Sequence, residues 1–239
     1  MSTALQAAFY ATPTAQTLGA EVIRVDGDRV MLDQTLFYPA GGGQPGDQGH
    51  WITSNGSSLR VVDTVKAEAP GEIWHQLEAH DHGLRVGDSI TQHLDWARRH
   101  RLMRMHTALH LLCSLVPRGV TGGSVGVDKS RLDFDLGDAT VDKVQLTEAI
   151  NRLVEQGIEV TSEWITDAEL DANPDLVRTM SVQPPRGAGR IRMLRIAGVD
   201  YQPCGGTHVG NTSEIGEVTI SKIENKGRRN RRIHLQLND

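Results

Sequence analysis

Two five-residue frames, far apart in the chain, carry the side chains best suited to chemistry: His106-Thr-Ala-Leu-His110 and Cys204-Gly-Gly-Thr-His208. Each sets two ligand-type residues four positions apart. In a helix that spacing is about one turn, so His106 and His110 project from one face and can grip a single ion. Three imidazoles and a thiol make a borderline-soft donor set of the kind tetrahedral zinc takes. Gly205 and Gly206 let the second frame fold closely round an ion. Cys113 falls near the same helix face, but a small core residue is the expected role for it. The helical frame lacks the glutamate of the H-E-x-x-H protease pattern, so no general base is built into it. Four protein ligands usually close a structural site. For chemistry, one ligand must yield, or the ion must orient a substrate while water attacks.

The elements that must position these frames can be read in outline. Leu102, Met105, Leu109, Leu112 and Val116 recur at helical spacing between Asp95, a helix cap, and Pro117. Before Asp95 the pattern is short strands. Residues 20–33 place the turn Asp26-Gly27-Asp28 between two alternating runs, and residues 59–65, 71–77 and 83–95 add further strand candidates. Such a series predicts a small barrel or sandwich. After the helix, residues 119–126 read as a loop and 131–136 as a strand. Residues 138–156 read as an amphipathic helix using Val141, Val144, Ile150 and Leu153, stopped by Gly157. Strands at 158–165 and 189–198, a short helix over 167–178 and a hairpin of 217–224 with 232–237 complete the chain. The expected fold class is α+β, with a β-rich, barrel-like domain over 1–95 and an α+β domain with an antiparallel sheet and the metal site over 96–239.

Residues 37–49, Phe37-Tyr-Pro-Ala-Gly-Gly-Gly-Gln-Pro-Gly-Asp-Gln-Gly49, literally contain G-x-G-x-x-G at Gly41, Gly43 and Gly46. Dinucleotide binding requires a helix to open there, and Pro45 followed by Gly46 and Gly49 opposes one. There is no Walker lysine. The stretch is either a plain glycine-rich turn or a loop that reaches a neighbouring site with Gln44 as its polar tip.

Composition excludes other classes. No apolar run is long enough to span a bilayer, and the start of the chain shows no secretory pattern. Two cysteines cannot form a disulfide framework, so a reducing, cytoplasmic setting is expected. The net charge of −5 hides an asymmetry: residues 1–97 hold 5 Lys/Arg against 12 Asp/Glu, the remainder 20 against 18. Basic residues bunch at Arg98, Arg99 and Arg101, and again at Lys226, Arg228 and Arg229. Each bunch is either a solvated face or a local contact for a polyanion. The first opposes the dipole of its own helix, a cost that an approaching anion would offset.

Three stretches together resemble a known family. His106-Thr-Ala-Leu-His110-Leu-Leu, Gln202-Pro-Cys-Gly-Gly-Thr-His208 and Ile223-Glu-Asn-Lys-Gly-Arg228 are similar to the editing domain of alanyl-tRNA synthetases. The whole chain resembles their free-standing relatives, the AlaX-type trans-editing proteins, and residues 37–44 match the glycine-rich motif of the longer form. The resemblance implies a zinc-dependent hydrolase that removes serine, with glycine as a second candidate, from wrongly charged tRNA(Ala). It puts the zinc ligands on His106, His110, Cys204 and His208, and substrate contacts on Thr121, Thr107 and Gln44, with Thr121 sensing the serine hydroxyl. With tRNA as the polyanion, the two basic bunches, Arg98, Arg99 and Arg101 and then Lys226, Arg228 and Arg229, become the candidate phosphate contacts. Synthetase editing domains tend to carry a glutamine where this chain has Gly122, so their polar contacts do not transfer. Nothing resembles an ATP-binding aminoacylation core. The rival reading is a structural-zinc RNA-binding module without catalysis.

Overall fold

A computed structural model describes residues 6–180 and 189–238. The chain divides into two compact units, Met1–His100 and Arg101–Asp239. In the first, β1 (Gln6–Ala7) and the short α1 (Ala8–Ala11) precede β2 (Thr17–Asp26) and β3 (Arg29–Leu32). β4 (Gln34–Thr35) pairs in parallel with β1. β5 (Gly49–Thr53), β6 (Ser58–Lys66), β7 (Ile73–Leu77) and β8 (Ser89–Leu94) follow. Six strands close into a barrel in the order β2-β3-β7-β6-β5-β8. Closure satisfies every strand edge, which an open six-stranded sheet could not do. The turn at Gly27 (φ 60°) joins Asp26 to its partner Arg29, as the Asp-Gly-Asp signal predicts. Val22, Val30, Leu32, Phe37, Trp51, Val61, Leu77 and Ile90 fill the interior. Of residues 83–95, only Ser89–Leu94 is strand; positive φ at Gly83 and Gly87 bends the chain before it.

No helix opens at the glycine-rich stretch. Gly41 and Gln44 exchange backbone hydrogen bonds of 3.0 Å, and Gln44 is buried. Gly46 has no room for a side chain: a Cβ there would lie 2.1 Å from the Thr64 carbonyl oxygen.

The long α2 (Trp96–Leu115) is capped by Asp95, whose carboxylate accepts from the Arg98 amide at 3.1 Å. Leu102, Met105, Leu109 and Leu112 are buried as expected, and so are Met103, Ala108, Leu111 and Cys113. A helix buried on so many sides is a core element rather than a surface one.

The second unit continues with β9 (Val120–Ser124), β10 (Ser130–Asp135), α3 (Lys143–Glu155), β11 (Val160–Ile165), α4 (Asp167–Asp171), β12 (Ile191–Ile196), β13 (Asp200–Pro203), β14 (Val218–Asn225) and β15 (Asn230–Leu237). One sheet runs β14-β15-β10-β9, the other β11-β12-β13, all antiparallel. The stretch expected as a loop at 119–126 is therefore mostly edge strand. Its glycines permit this, since a Cβ on Gly123 would fall 2.9 Å from Leu132 of the neighbouring strand. α3 starts later than expected because Asp142, and not Asp138, accepts the free Gln145 amide at 2.8 Å. Its buried stripe is Leu146, Ile150 and Val154, at steps of four, which turns Val144 out to solvent. The helix expected over 167–178 is split into α4 and a 3-10 turn, Pro174–Leu176, because Pro174 has no amide hydrogen to continue a helix. Among the described residues no helix is long and apolar enough to cross a membrane.

Candidate metal centre

α2 delivers His106 and His110 one turn apart, with ring centroids 5.4 Å from each other. β13 and the loop after it deliver the other pair. The Cys204 amide bonds the Arg192 carbonyl at 3.0 Å. The Arg192 guanidinium in turn donates to the carbonyls of Cys204 and Gly206, each at 2.9 Å. That clamp fixes the glycine-rich loop so that the Gly206 amide points at Cys204 Sγ, 3.4 Å away. One donor atom from each of His106, His110, Cys204 and His208 lies within 4.8 Å of all the others. His106, His110 and His208 are buried and Cys204 is half-buried. All four expected ligands are thus brought together.

The ring orientations are set by a further layer of contacts. His110 Nδ1 meets Asp200 Oδ2 at 2.8 Å, and Gln202 Nε2 donates to that same oxygen at 2.8 Å. A carboxylate partner puts the ring proton on Nδ1 and leaves Nε2 as the electron-pair donor. His208 Nδ1 lies 3.2 Å from Thr107 Oγ1, while that hydroxyl donates to the Met103 carbonyl at 2.9 Å and accepts from the Val209 amide at 3.3 Å. With its proton committed to Met103, Thr107 accepts from His208, again freeing Nε2. Nε2 of His208 and of His106 face Cys204 Sγ at 3.2 and 3.6 Å. Thr107 is wholly buried, and these contacts give it a ring-holding role in place of the substrate contact expected of it.

Charge completes the picture. Burial alone would raise the Cys204 thiol, but the fields of His106, His208 and His110 outweigh it and hold the thiol well below its ordinary range. For His110 burial works against the charged form, yet the Cys204 thiolate and the Asp200 carboxylate prevail and lift it to about 9. His208 goes the other way, to about 3, because burial there outweighs the thiolate's pull. A thiolate and imidazoles with inward-facing Nε2 atoms are the donor chemistry of a zinc site, and an arriving cation would displace the His110 proton.

The remaining expected residues are dispersed. The Thr121 hydroxyl on β9 lies 2.9 Å from Asn230 Oδ1 and 3.2 Å from the Asp133 carbonyl. Ser124 sits in a literal G-x-S-x-G, residues 122–126, yet it ends β9 and the next element is β10, so the strand-to-helix elbow of a serine hydrolase is missing. In the first basic bunch, Arg99 is fully buried against Asp47, with Nε donating to Oδ2 at 2.7 Å and Nη2 to the Leu36 carbonyl at 2.6 Å. It cannot serve a phosphate, and the expectation fails because the buried Asp47 carboxylate claims it. Arg98 donates to the Gly46 carbonyl and Arg101 to the Val127 carbonyl, both half-buried. In the second bunch Arg228 is exposed, Arg229 pairs with Asp135 at 2.9 Å, and Lys226 lies 3.5 Å from Glu224. Asp200, Gln202 and Arg192 were not singled out from the sequence. The available signal was the alternation Asp200, Gln202, Cys204, which puts three polar side chains on one face of a strand.

Comparison with known proteins agrees with this geometry. Residues 191–234 match the family described as threonyl and alanyl tRNA synthetase second additional domain, and residues 1–98 match tRNA synthetases class II (A). The first match spans Cys204 and His208 with the strands that carry them. The chain is 37% identical to "Alanyl-tRNA editing protein AlaX-M" of Methanosarcina barkeri, over 92% of this chain and 93% of that protein. It belongs to the AlaX-type alanyl-tRNA editing proteins. A second AlaX-M, from Saccharolobus solfataricus, is 33% identical over 89% of this chain and 90% of its own length. The AlaX-type chain is also 35% identical to "Alanine--tRNA ligase" of Methanospirillum hungatei, over 90% of this chain but only 24% of the ligase. The editing-protein likeness thus extends along a whole polypeptide, and the ligase likeness along one part of a much longer one.

Proposed function

We propose that this chain hydrolyses, in trans, the aminoacyl ester of tRNA(Ala) mischarged with serine, around a zinc ion held by His106, His110, Cys204 and His208. The observation that carries the reading is the convergence of those four donor atoms in a chain whose relatives are named alanyl-tRNA editing proteins. Bound there, zinc would supply Lewis acidity toward the ester carbonyl. The protein's part is positional. Asp200 and Thr107 hold two ligand rings with Nε2 inward, and Arg192 fixes the loop that bears the thiolate. Thr121, whose hydroxyl bonds Asn230 Oδ1 and the Asp133 carbonyl, is the residue assigned to meet a hydroxyl arriving on the substrate. Serine supplies that hydroxyl and alanine does not. A polar pocket that requires a partner rejects the alanyl ester more strongly than an apolar synthetic pocket rejects serine. Phosphate contacts fall to Arg228, Lys226 and Arg229, whose exposed side chains can exchange surface ion pairs of small net value for phosphates.

The test uses Ser-tRNA(Ala) and Ala-tRNA(Ala) as parallel substrates of the purified protein. The seryl ester should be cleaved selectively, and Thr121→Val should erase most of that preference. Equal hydrolysis of both esters, or none, would overturn the reading. One observation favours a second reading: four protein ligands in a buried cluster are the mark of a closed structural site. On that reading the chain is an RNA-binding module that binds tRNA without turnover.

A further inference from the structure

Trp164 is the aromatic member of the few large apolar side chains exposed among the described residues, at 48% exposure. It stands on β11, one of the two edge strands of the three-stranded sheet. The guanidinium of Arg190 lies over its ring, 5.1 Å from the centroid. Sheet register decides which face this side chain shares. Trp164 is directly opposite Arg192 on β12, and the Cys204 amide bonds the Arg192 carbonyl. Residues opposite one another across a ladder point to the same side, so Trp164, Arg192 and Cys204 form one row across three strands. Gln202 and Asp200, at two-residue steps before Cys204, share that face and reach His110. The other face belongs to Ile165, Ile191, Met193 and Tyr201, which pack around Leu170. Two strand spacings therefore separate Trp164 from the metal ligand Cys204, about 10 Å between backbones.

We propose that Trp164, with Arg190 stacked on it, is a nucleobase platform for the single-stranded 3′ end of the RNA whose ester is presented at the metal centre. The proposal takes its ligand from the function proposed above. A row that ends at the ligand Cys204 and begins at an exposed indole matches the reach of a nucleoside whose ribose carries the ester. Exposed tryptophan beside arginine is the pairing that single-stranded nucleic acid uses, because every base has a π-face and the cation strengthens the stack. Arg192 braces the row from below by clamping the Cys204–Gly206 loop.

The experiment needs no hydrolysis. Two uncharged RNA minihelices are titrated against the protein, one with a single-stranded 3′ overhang and one blunt. Wild type should prefer the overhang, and Trp164→Ala should weaken overhang binding roughly tenfold or more while leaving the blunt duplex unaffected. Trp164→Phe should retain most of the affinity, since a stacking surface remains, and Arg190→Ala should cause a smaller loss. Circular dichroism and bound-metal content verify the fold, and Trp164→Leu replaces the alanine variant if it does not fold. Equal affinity of wild type and Trp164→Ala for the overhang overturns the platform, as does an equal loss on both duplexes or a wild type indifferent to the overhang. The function above fails on a different readout: a wild type that cleaves no seryl ester yet loses overhang affinity on Trp164→Ala keeps the platform and loses the hydrolase.

Discussion

His110 is held between two demands: its Nε2 must face the cluster, and its Nδ1 proton needs an acceptor. Asp200 meets the second, and Gln202 holds Asp200 in line. Removing that acceptor lets the ring rotate and change tautomer, and such supporting contacts are worth about 10–100-fold in metal affinity. Asp200→Ala should therefore weaken zinc binding by a factor in that range, measured by competition with a coloured chelator. An unchanged dissociation constant would mean that Asp200 does not set the ring. Cys204→Ala should be more severe and leave no stoichiometric metal after dialysis, because it removes the one anionic ligand. The two frames that form the cluster were legible from sequence because a four-residue spacing acts locally. Asp200 and Thr107 were not, since their roles arise from contacts 90 and 101 residues away in the chain.

At the scale of elements, the first basic bunch shows how tertiary contact overrides pattern. Arg98, Arg99 and Arg101 read as one cluster in a helix's first turns, yet Arg99 is buried and pairs with Asp47 of the glycine-rich stretch. Deleting one member of a buried ion pair leaves the other charge uncompensated, at a cost of about 3–5 kcal/mol. Arg99→Ala should lower stability by that order in urea unfolding, whereas exposed Arg228→Ala should leave stability unchanged and reduce the salt slope of tRNA binding by about one. The reverse pattern would restore the sequence-based assignment. Hairpins and the long helix were readable because turn chemistry at Gly27 and caps at Asp95 and Gly157 are local. β9 was not, because Gly122 and Gly123 look like loop residues until pairing with β10 makes them strand. The late start of α3 has a similar origin: its first turn is set by Asp142 accepting the Gln145 amide, four residues after the expected start at 138.

For the molecule as a whole, the two units should respond to different insults. A zinc held as proposed above would couple metal binding to folding in residues 101–239, so a chelator should lower hydrogen-exchange protection there and spare the barrel. Acid finds a second target inside the barrel. His75 is fully buried, with Nδ1 at 3.1 Å from the Val30 carbonyl, Nε2 at 2.7 Å from Thr35 Oγ1, and the rings of Phe37 and Trp51 set edgewise against it. Burial pushes its pKa down to about 4, only partly opposed by the Val30 carbonyl. The unfolded chain takes up a proton near 6.5. Between these values the unfolded state binds more protons than the folded one, so stability rises with pH. His75 thus contributes nothing adverse above pH 6.5 and withdraws stability progressively as the pH falls toward 4, by about 3 kcal/mol once the lower value is passed. Acid would also displace the zinc proposed for the second unit, so the comparison must isolate the barrel. Barrel amides of the wild type should lose exchange protection between pH 6.5 and 4, and those of His75→Gln, which keeps a polar side chain but cannot titrate, should lose much less. Parallel losses in the two proteins would show that the acid sensitivity of the barrel lies elsewhere.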